Sequence, residues 1–197
     1  FLALVGSADL LVVDDSSPDK TFEVVEQKSK TEPRIHLLLR NKKEGLGRAY
    51  IAGFNWSLAN NYEVIVQMDA DFSHNPNDLI RLYNTCKREN ADVAIGSRYK
   101  TGVNVVNWPM SRVLLSWLAS KYVRFITRMP ISDTTAGFVC YKRKVLEAIH
   151  LKKIHFVGYA FQIEMKFKAY LLKFKIVEVP VIFTDRTRGT SKMSGSI

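Results

Sequence analysis

Short apolar runs alternate along the chain with segments whose apolar residues recur at helical spacing. Four of the apolar runs have the length of buried strands, and they cover residues 9–15, 34–40, 63–68 and 91–96. Helical spacing is found at 21–30, 47–60 and 79–89, with Pro76 in a position typical of a helix N-terminus. Helices at 111–127 and 160–172 and a strand at 176–183 complete the prediction. This alternation indicates an α/β fold with a mostly parallel sheet covered by helices on both faces.

Charged residues gather where the predicted strands end. In an open parallel sheet, ligands bind beyond the carboxyl ends of the strands, where loops and helix N-termini converge. In this chain those ends fall at 14–15, 41–42, 69–71 and 96–98, and each contains acidic or basic residues. We therefore expect one functional site at this edge of the sheet.

Two acidic pairs follow strands. Asp69 and Asp71 stand two positions apart, so both carboxylates can approach one hard divalent cation, for which Mg²⁺ or Mn²⁺ is the natural candidate. Aspartates also form ordinary turns, but the position after a buried strand favours a ligand role. Of the earlier pair, we expect Asp14 to contact a nucleotide and Asp15 to be structural.

The chain is basic, with 29 Lys and Arg against 19 Asp and Glu and a formal charge of +10. Such a surface attracts nucleotides, nucleic acids or anionic lipid, and charge alone does not choose among them. Four cations beside turn residues are expected to grip two phosphate groups: Arg98, Arg112, Arg186 and Lys192. A basic face is expected from lysines 152, 153, 166, 168, 173 and 175. His74 and His155 are interpreted as ordinary histidines.

Several classes of site are not supported. Gly45 and Gly47 have no Lys-Ser/Thr after them and no strand-to-G-x-G-x-x-G turn before them, so they indicate close helix packing rather than a nucleotide-phosphate loop. Cys86 and Cys140 lack metal spacing and fit a reducing, cytosolic setting. No apolar run approaches the roughly 18 residues that span a bilayer.

Seven motifs, in order along the chain, resemble the dolichyl-phosphate mannose synthases of glycosyltransferase family 2. They are VVDDSSPD, EGLGRAYIAGF, MDADFSHNP, IGSRY, DTTAGF, GYAFQIEM and FTDRTRGTSKM. The resemblance implies a GT-A fold, a GDP-mannose donor, a dolichyl or polyprenyl phosphate acceptor, and inversion to a β-mannosyl phosphate lipid. Residues 1–197 are then expected to be a single catalytic domain that lacks the family's first strand, with its Pro-x-Tyr-Asn-Glu motif, and any C-terminal extension.

The resemblance also assigns residues to tasks. The metal would be held by Asp69 and Asp71, beside a Ser73 that stands where some relatives carry Gln. The donor would contact Asp14, Asp69, Asp71, Arg186 and Lys192. The acceptor phosphate would be received by Arg98, Arg112 and Ser116. Three further residues would lie near the sugar: Asp133, Gln162 and Glu164. Five of the residues named here are expected to be catalytic: Asp71, Arg98, Arg112, Asp133 and Arg186.

Three alternatives remain beside this function. One is a family-2 transferase that uses a UDP-sugar such as UDP-glucose on undecaprenyl phosphate. Another is a basic nucleic-acid-binding module, which acids at the strand ends disfavour because they repel a phosphate backbone. A third is a family member without catalysis, against which the intact Asp69, Asp71, Arg98 and Arg186 argue. We expect the basic face to dock on an anionic membrane, on its cytoplasmic side, without nucleic acid as a partner.

Overall fold

A computed structural model describes residues 2–3 and 6–185. The helices are α1 (Thr21–Ser29), α2 (Leu46–Ala59), α3 (Pro76–Arg88), α4 (Met110–Thr127), α5 (Arg143–Ile149) and α6 (Ala160–Leu171), with a single 3₁₀ turn at Leu151–Lys153. The strands are β1 (Leu10–Asp14), β2 (Ile35–Leu39), β3 (Val64–Gln67), β4 (Val93–Ser97), β5 (Val105–Val106), β6 (Val139–Lys142), β7 (Ile176–Pro180) and β8 (Phe183–Thr184). The elements predicted from apolar spacing are confirmed, with ends shifted by a few residues, except that the predicted strand 176–183 is divided into β7 and β8, which lie in different sheets.

The strands form a mixed arrangement in which one central strand runs against its neighbours. The largest sheet has the order β3-β6-β4-β7, and β6 pairs antiparallel with both β3 and β4. β4 and β7 are parallel, as are the separate pairs β1-β2 and β5-β8. The expectation of a mostly parallel sheet is therefore corrected at β6. The sequence prediction lacks β5, β6 and α5, which have two, four and seven residues and therefore give only short patterns.

Helices pack on both faces of the four-stranded sheet and create two apolar clusters. The larger joins the sheet to α2, α5 and α6 through buried side chains such as Phe54, Tyr141 and Phe161. The smaller joins it to α3 through Leu82 and Phe138. Each large apolar side chain that is fully buried contributes about 1.5–3 kcal/mol. These clusters fix the position of the loops at the end of β3.

The start of α2 lies against the loop that precedes α6. The Gly47 N–H donates to the Val157 carbonyl at 2.8 Å, and a Cβ on Gly47 would lie 2.8 Å from the Phe156 carbonyl oxygen and 2.9 Å from the Phe161 ring. Gly45 has a φ of 98°, a conformation that other residues rarely adopt. The expectation of close helix packing is confirmed.

The predicted basic face is wrong at Lys166. This side chain is fully buried on α6, and its Nζ donates to the carbonyl oxygens of Ala136 at 2.6 Å and Gln162 at 3.2 Å. Burial lowers the Lys166 pKa to about 7, because an apolar environment disfavours the charged form. Helical spacing explains the error, because Lys166 lies one turn after Gln162 on the face that α6 buries.

Candidate active site

The two acids after β3 are held by hydrogen bonds from different elements. Asp69 Oδ1 accepts from the Tyr50 hydroxyl of α2 at 2.8 Å. Asp71 Oδ1 accepts from the N–H of Ser73 at 3.1 Å and from its hydroxyl at 2.5 Å. Asp69 and Asp71 are both half-buried. The arrangement orders an acidic loop, residues 69–74, that can receive a cation or a hydroxyl from outside.

His74, the last residue of the acidic loop, holds the loop in place. Its Nδ1 accepts a hydrogen bond from the Asp69 backbone N–H at 3.2 Å. The ring stacks on Phe138 with centroids 4.9 Å apart and meets the edge of Phe183 at 5.3 Å. Burial lowers the His74 pKa, and the neutral ring is the form that accepts at Nδ1. The interpretation of His74 as an ordinary histidine therefore missed a residue that orders the site.

Arg98 and Asp133 form a buried, two-pronged ion pair. Arg98 Nη2 lies 2.6 Å from Asp133 Oδ1 and Nε lies 2.7 Å from Oδ2, which also accepts from the Arg98 backbone N–H. Asp133 is fully buried and Arg98 is 8% exposed. Burial opposes ionisation of Asp133, but the charge and hydrogen bonds of Arg98 outweigh it and hold the Asp133 pKa below its ordinary value. The two residues expected at the acceptor phosphate and the sugar thus bind each other.

Trp108 links the two arginines that were predicted to receive the acceptor phosphate. The Arg112 guanidinium lies 4.0 Å from the centre of the Trp108 ring, and that of Arg98 lies 5.3 Å from it. Arg112 also pairs with Asp185 at 2.9 Å. Ser116 follows one turn later on α4 and is half-buried. The structure therefore brings Arg98 and Arg112 together, with Arg112 more exposed than Arg98.

The two α6 residues predicted near the sugar have different surroundings. Gln162 lies beside the acidic loop, because a Cβ built on Gly137 would be 3.8 Å from Gln162 Nε2 and 3.6 Å from Asp69 Oδ2. Glu164 instead accepts from the backbone N–H groups of His155 at 2.9 Å and Phe156 at 3.0 Å, and so orders the loop before α6.

The first acidic pair lies at the end of β1. Asp14 is buried, and its Oδ1 accepts from the Ser17 N–H at 2.8 Å, which closes the turn. Asp15 pairs with Arg40 at 2.9 Å. Both residues thus have structural contacts, and the expected nucleotide contact of Asp14 stays a prediction. Arg186 and Lys192, predicted at the donor diphosphate, lie outside the described residues.

Comparison with known proteins identifies the family. Residues 7–150 match the family model described as glycosyl transferase family 2. The chain belongs to glycosyltransferase family 2. It is 46% identical to an undecaprenyl-phosphate mannosyltransferase from Micrococcus luteus over 98% of this chain and 79% of that protein. It is 48% identical to a polyprenol monophosphomannose synthase from Mycolicibacterium smegmatis over 95% of this chain and 71% of that protein.

Solved structures place this family-2 transferase in the GT-A fold. A glucosyl-3-phosphoglycerate synthase from Mycobacterium tuberculosis, in complex with Mn²⁺, uridine diphosphate and phosphoglyceric acid, is similar with a TM-score of 0.64, 17% identity and coverage of 94% of this chain and 61% of that chain. A mannosyltransferase from Pyrobaculum calidifontis, in complex with GDP-mannose and Mn²⁺, gives a TM-score of 0.55, 15% identity and coverage of 93% and 49%. This chain spans less than two thirds of either solved chain.

Several residues of this family-2 site are not evident from sequence motifs. Tyr50 and Trp108 are a tyrosine inside a helix and a tryptophan in a loop, and such residues are more often core or surface than part of a site. Gln67, whose Nε2 donates to Gln162 Oε1 at 2.7 Å, ends a strand and in the sequence looks like an ordinary buried polar residue. Among these residues, His74 alone could have been found from the sequence. It follows Asp71 by three residues, and a loop this short keeps its side chain near the two acids.

Proposed function

We propose that this family-2 transferase moves mannose from GDP-mannose to a polyprenyl phosphate, with inversion at the anomeric carbon. The observation that carries the proposal is the 46% and 48% identity, over nearly the whole chain, to two proteins named as mannosyltransferases of this kind. The acidic loop and the Arg98–Trp108–Arg112 cluster agree with it, because two phosphate-bearing substrates require both cation binding and positive charge. The solved structures with other donors share only the fold and do not favour UDP-glucose.

The donor diphosphate would be bound through a divalent cation at Asp69 and Asp71. Carboxylate oxygens suit Mg²⁺ and Mn²⁺, and Mg²⁺ usually takes one or two carboxylates and completes its shell with phosphates and water. No cluster of three or more acidic, histidine or cysteine ligands exists among the residues that the structure describes. Asp69 and Asp71 could supply the one or two carboxylate ligands that Mg²⁺ usually takes from a protein, and phosphate oxygens and water would complete its coordination. When bound, the cation neutralises charge on the leaving diphosphate.

The acceptor needs positioning rather than activation. A phosphate monoester is already anionic near neutral pH, so its oxygen can attack the anomeric carbon without losing a proton to a side chain. Arg112, stacked on Trp108, would hold the acceptor phosphate in line with the bond that breaks. Both arginines are paired, Arg112 with Asp185 and Arg98 with Asp133. Because Arg98 is buried and held at two points by a fully buried carboxylate, it would mainly keep Trp108 in place.

A polyprenyl acceptor places the site at a membrane surface, and α4 offers a face for that surface. Apolar side chains recur there every three or four residues, each more than half exposed: Leu114, Leu115, Leu118, Tyr122, Phe125 and Ile126. Lys121 extends over Trp117 at 5.0 Å and would reach anionic headgroups. None of the helices in the described residues is long and apolar enough to cross a membrane. We therefore propose peripheral docking through this apolar face as well as through lysines.

A transfer assay tests the proposed function. Purified protein, polyprenyl phosphate and Mg²⁺ or Mn²⁺ are incubated with radiolabelled GDP-mannose or UDP-glucose, and label in the lipid fraction is counted. We expect transfer from GDP-mannose, loss of transfer with chelator, and at least about tenfold less from UDP-glucose. Equal or greater transfer from UDP-glucose would overturn the proposal. Omission of polyprenyl phosphate controls for hydrolysis.

A further inference from the structure

A pair of buried amides beneath the acidic loop is oriented by one backbone carbonyl. Gln67 Nε2 donates to the Gly137 carbonyl oxygen at 2.8 Å, which can only accept, so the identity of the Gln67 amide atoms is fixed. The same nitrogen donates to Gln162 Oε1 at 2.7 Å. Gln162 Nε2 therefore points away from Gln67. Within the described part of the chain it has no hydrogen-bond partner, although Gln162 is only 2% exposed.

The unused amide faces a small space above Gly137. A Cβ built on this glycine would lie 3.8 Å from Gln162 Nε2, 3.6 Å from Asp69 Oδ2 and 3.9 Å from Asp69 Oδ1. Gly137 is itself partly exposed, so the space is open on one side. A hydrogen-bond donor and a carboxylate acceptor thus face the same small volume that a side chain at Gly137 would fill.

The chemistry of these two groups selects the occupant. A hydroxyl both accepts and donates, so it can satisfy the Gln162 amide and the Asp69 carboxylate together. A phosphate oxygen has no proton to donate to the carboxylate, so the two anions would repel each other wherever no cation lies between them. A buried amide left unpaired is unfavourable, which explains why a ligand lacking the hydroxyl would be rejected.

We propose that Asp69, Gly137 and Gln162 form a subsite for one hydroxyl of the transferred hexose. Gln162 Nε2 donates to the hydroxyl oxygen, the hydroxyl donates to Asp69, and Gly137 leaves room for it. This subsite rests on the proposed function for the identity of the donor, and it goes beyond that function by naming the residues that select the sugar by the position of its hydroxyl.

Filling the space tests the subsite without touching either polar partner. Gly137 lies outside the left-handed region and its added Cβ would make ordinary contacts, so Gly137→Ala is expected to keep the melting temperature of the wild type. We expect kcat/KM for GDP-mannose to fall about 10- to 100-fold while the Kd for GDP changes less than about twofold. Gly6→Ala, at a glycine with nothing within 4 Å, is the matched control. If the Kd for GDP rises in Gly137→Ala by the same factor as kcat/KM for GDP-mannose falls, the proposal is overturned.

Removing the amide identifies the hydroxyl. Wild type and Gln162→Met are compared with GDP-mannose and with its 2-, 3-, 4- and 6-deoxy analogues. We expect the wild type to lose about 10- to 100-fold in kcat/KM with one analogue, and Gln162→Met to use that analogue and GDP-mannose equally well. If both proteins discriminate alike, the subsite is wrong. If the wild type instead prefers another hexose donor, the proposed function fails, and the same comparison with deoxy analogues of that donor decides the subsite separately.

Discussion

The Tyr50 hydroxyl donates to Asp69 Oδ1 at 2.8 Å and so ties α2 to the acidic loop. The Tyr50 ring lies nearly parallel to that of Phe161, with centroids 5.9 Å apart, which fixes the direction of the hydroxyl. Burial and the Asp69 charge raise the Tyr50 pKa, so the phenol stays protonated and donates at every working pH. One oxygen of Asp69 is thereby engaged, and the other faces the site.

Tyr50→Phe should weaken donor use while sparing the fold. The ring stacking is kept, but Asp69 loses a hydrogen bond to a charged group, worth about 1.5–3 kcal/mol. We expect kcat/KM for GDP-mannose to fall about tenfold or more and the metal concentration for half-maximal activity to rise. Steady-state kinetics over a Mg²⁺ series measures both. Tyr170→Phe, at the far end of α6, is the control, and identical kinetics in the two variants would contradict this role.

Asp71→Ala should abolish metal-dependent donor binding. Its carboxylate accepts hydrogen bonds from Ser73 of the same loop, and the residue is half-buried outside both apolar clusters, so we expect the core to keep its packing. The thermal stabilisation by GDP with Mn²⁺ that we expect in the wild type should disappear in a thermal-shift series. Glu147→Ala, which removes an exposed surface ion pair, should leave it unchanged. Stabilisation at the wild-type level in Asp71→Ala would remove this residue from the metal site.

Arg112→Lys should separate acceptor from donor effects. Lysine keeps the charge but loses the planar group that stacks on Trp108 and pairs with Asp185. We expect a higher KM for polyprenyl phosphate and lower kcat, with GDP affinity unchanged within about twofold. Arg124→Lys on the same helix is the control. If GDP-mannose binding weakens and the lipid KM stays constant, Arg112 belongs to the donor site.

Vesicle binding should have a salt-sensitive and a salt-resistant part. The lysines predict stronger binding to anionic lipid, screened by salt. The apolar face of α4 predicts that some binding survives at high salt, and that Phe125→Ser reduces this part about tenfold or more, because Phe125 is 80% exposed. Sedimentation with neutral and anionic vesicles measures both parts. Complete loss of wild-type binding at high salt would show that α4 does not insert.

Lys166 should make stability rise with pH above neutrality. Its pKa is 10.5 in an ordinary environment and about 7 in the fold, so between these values the unfolded chain binds the extra proton. Stability therefore increases as pH rises from about 7 towards 10 and gains nothing from this group below 7. We expect Lys166→Met to flatten that rise in urea unfolding between about pH 6 and pH 10. Parallel curves for the two proteins would contradict the lowered pKa.

The acidic loop and the arginines were predictable because their signals are local. Asp69 and Asp71 come after a strand whose apolar run is visible in the sequence, and the end of that strand sets their position. Pairing partners were not predictable in the same way. Whether Arg98 meets a phosphate or Asp133 depends on β6, which the sequence pattern did not reveal. Likewise, the burial of Lys166 depends on the orientation of α6, which only packing determines.

The position of β6 between β3 and β4 also constrains how the chain assembles during synthesis. β3 and β4 leave the ribosome earlier, yet neither pairs with the other, and Val139 must reach back to Gln67 and Ile95 before the sheet is continuous. Contacts between residues so far apart in sequence form slowly. Until β6 pairs with β3 and β4, the unpaired edges of these strands are prone to aggregation. Asp133, which shortly precedes Val139, arrives with the same late strand, so the nascent protein carries an uncompensated Arg98 until β6 is inserted.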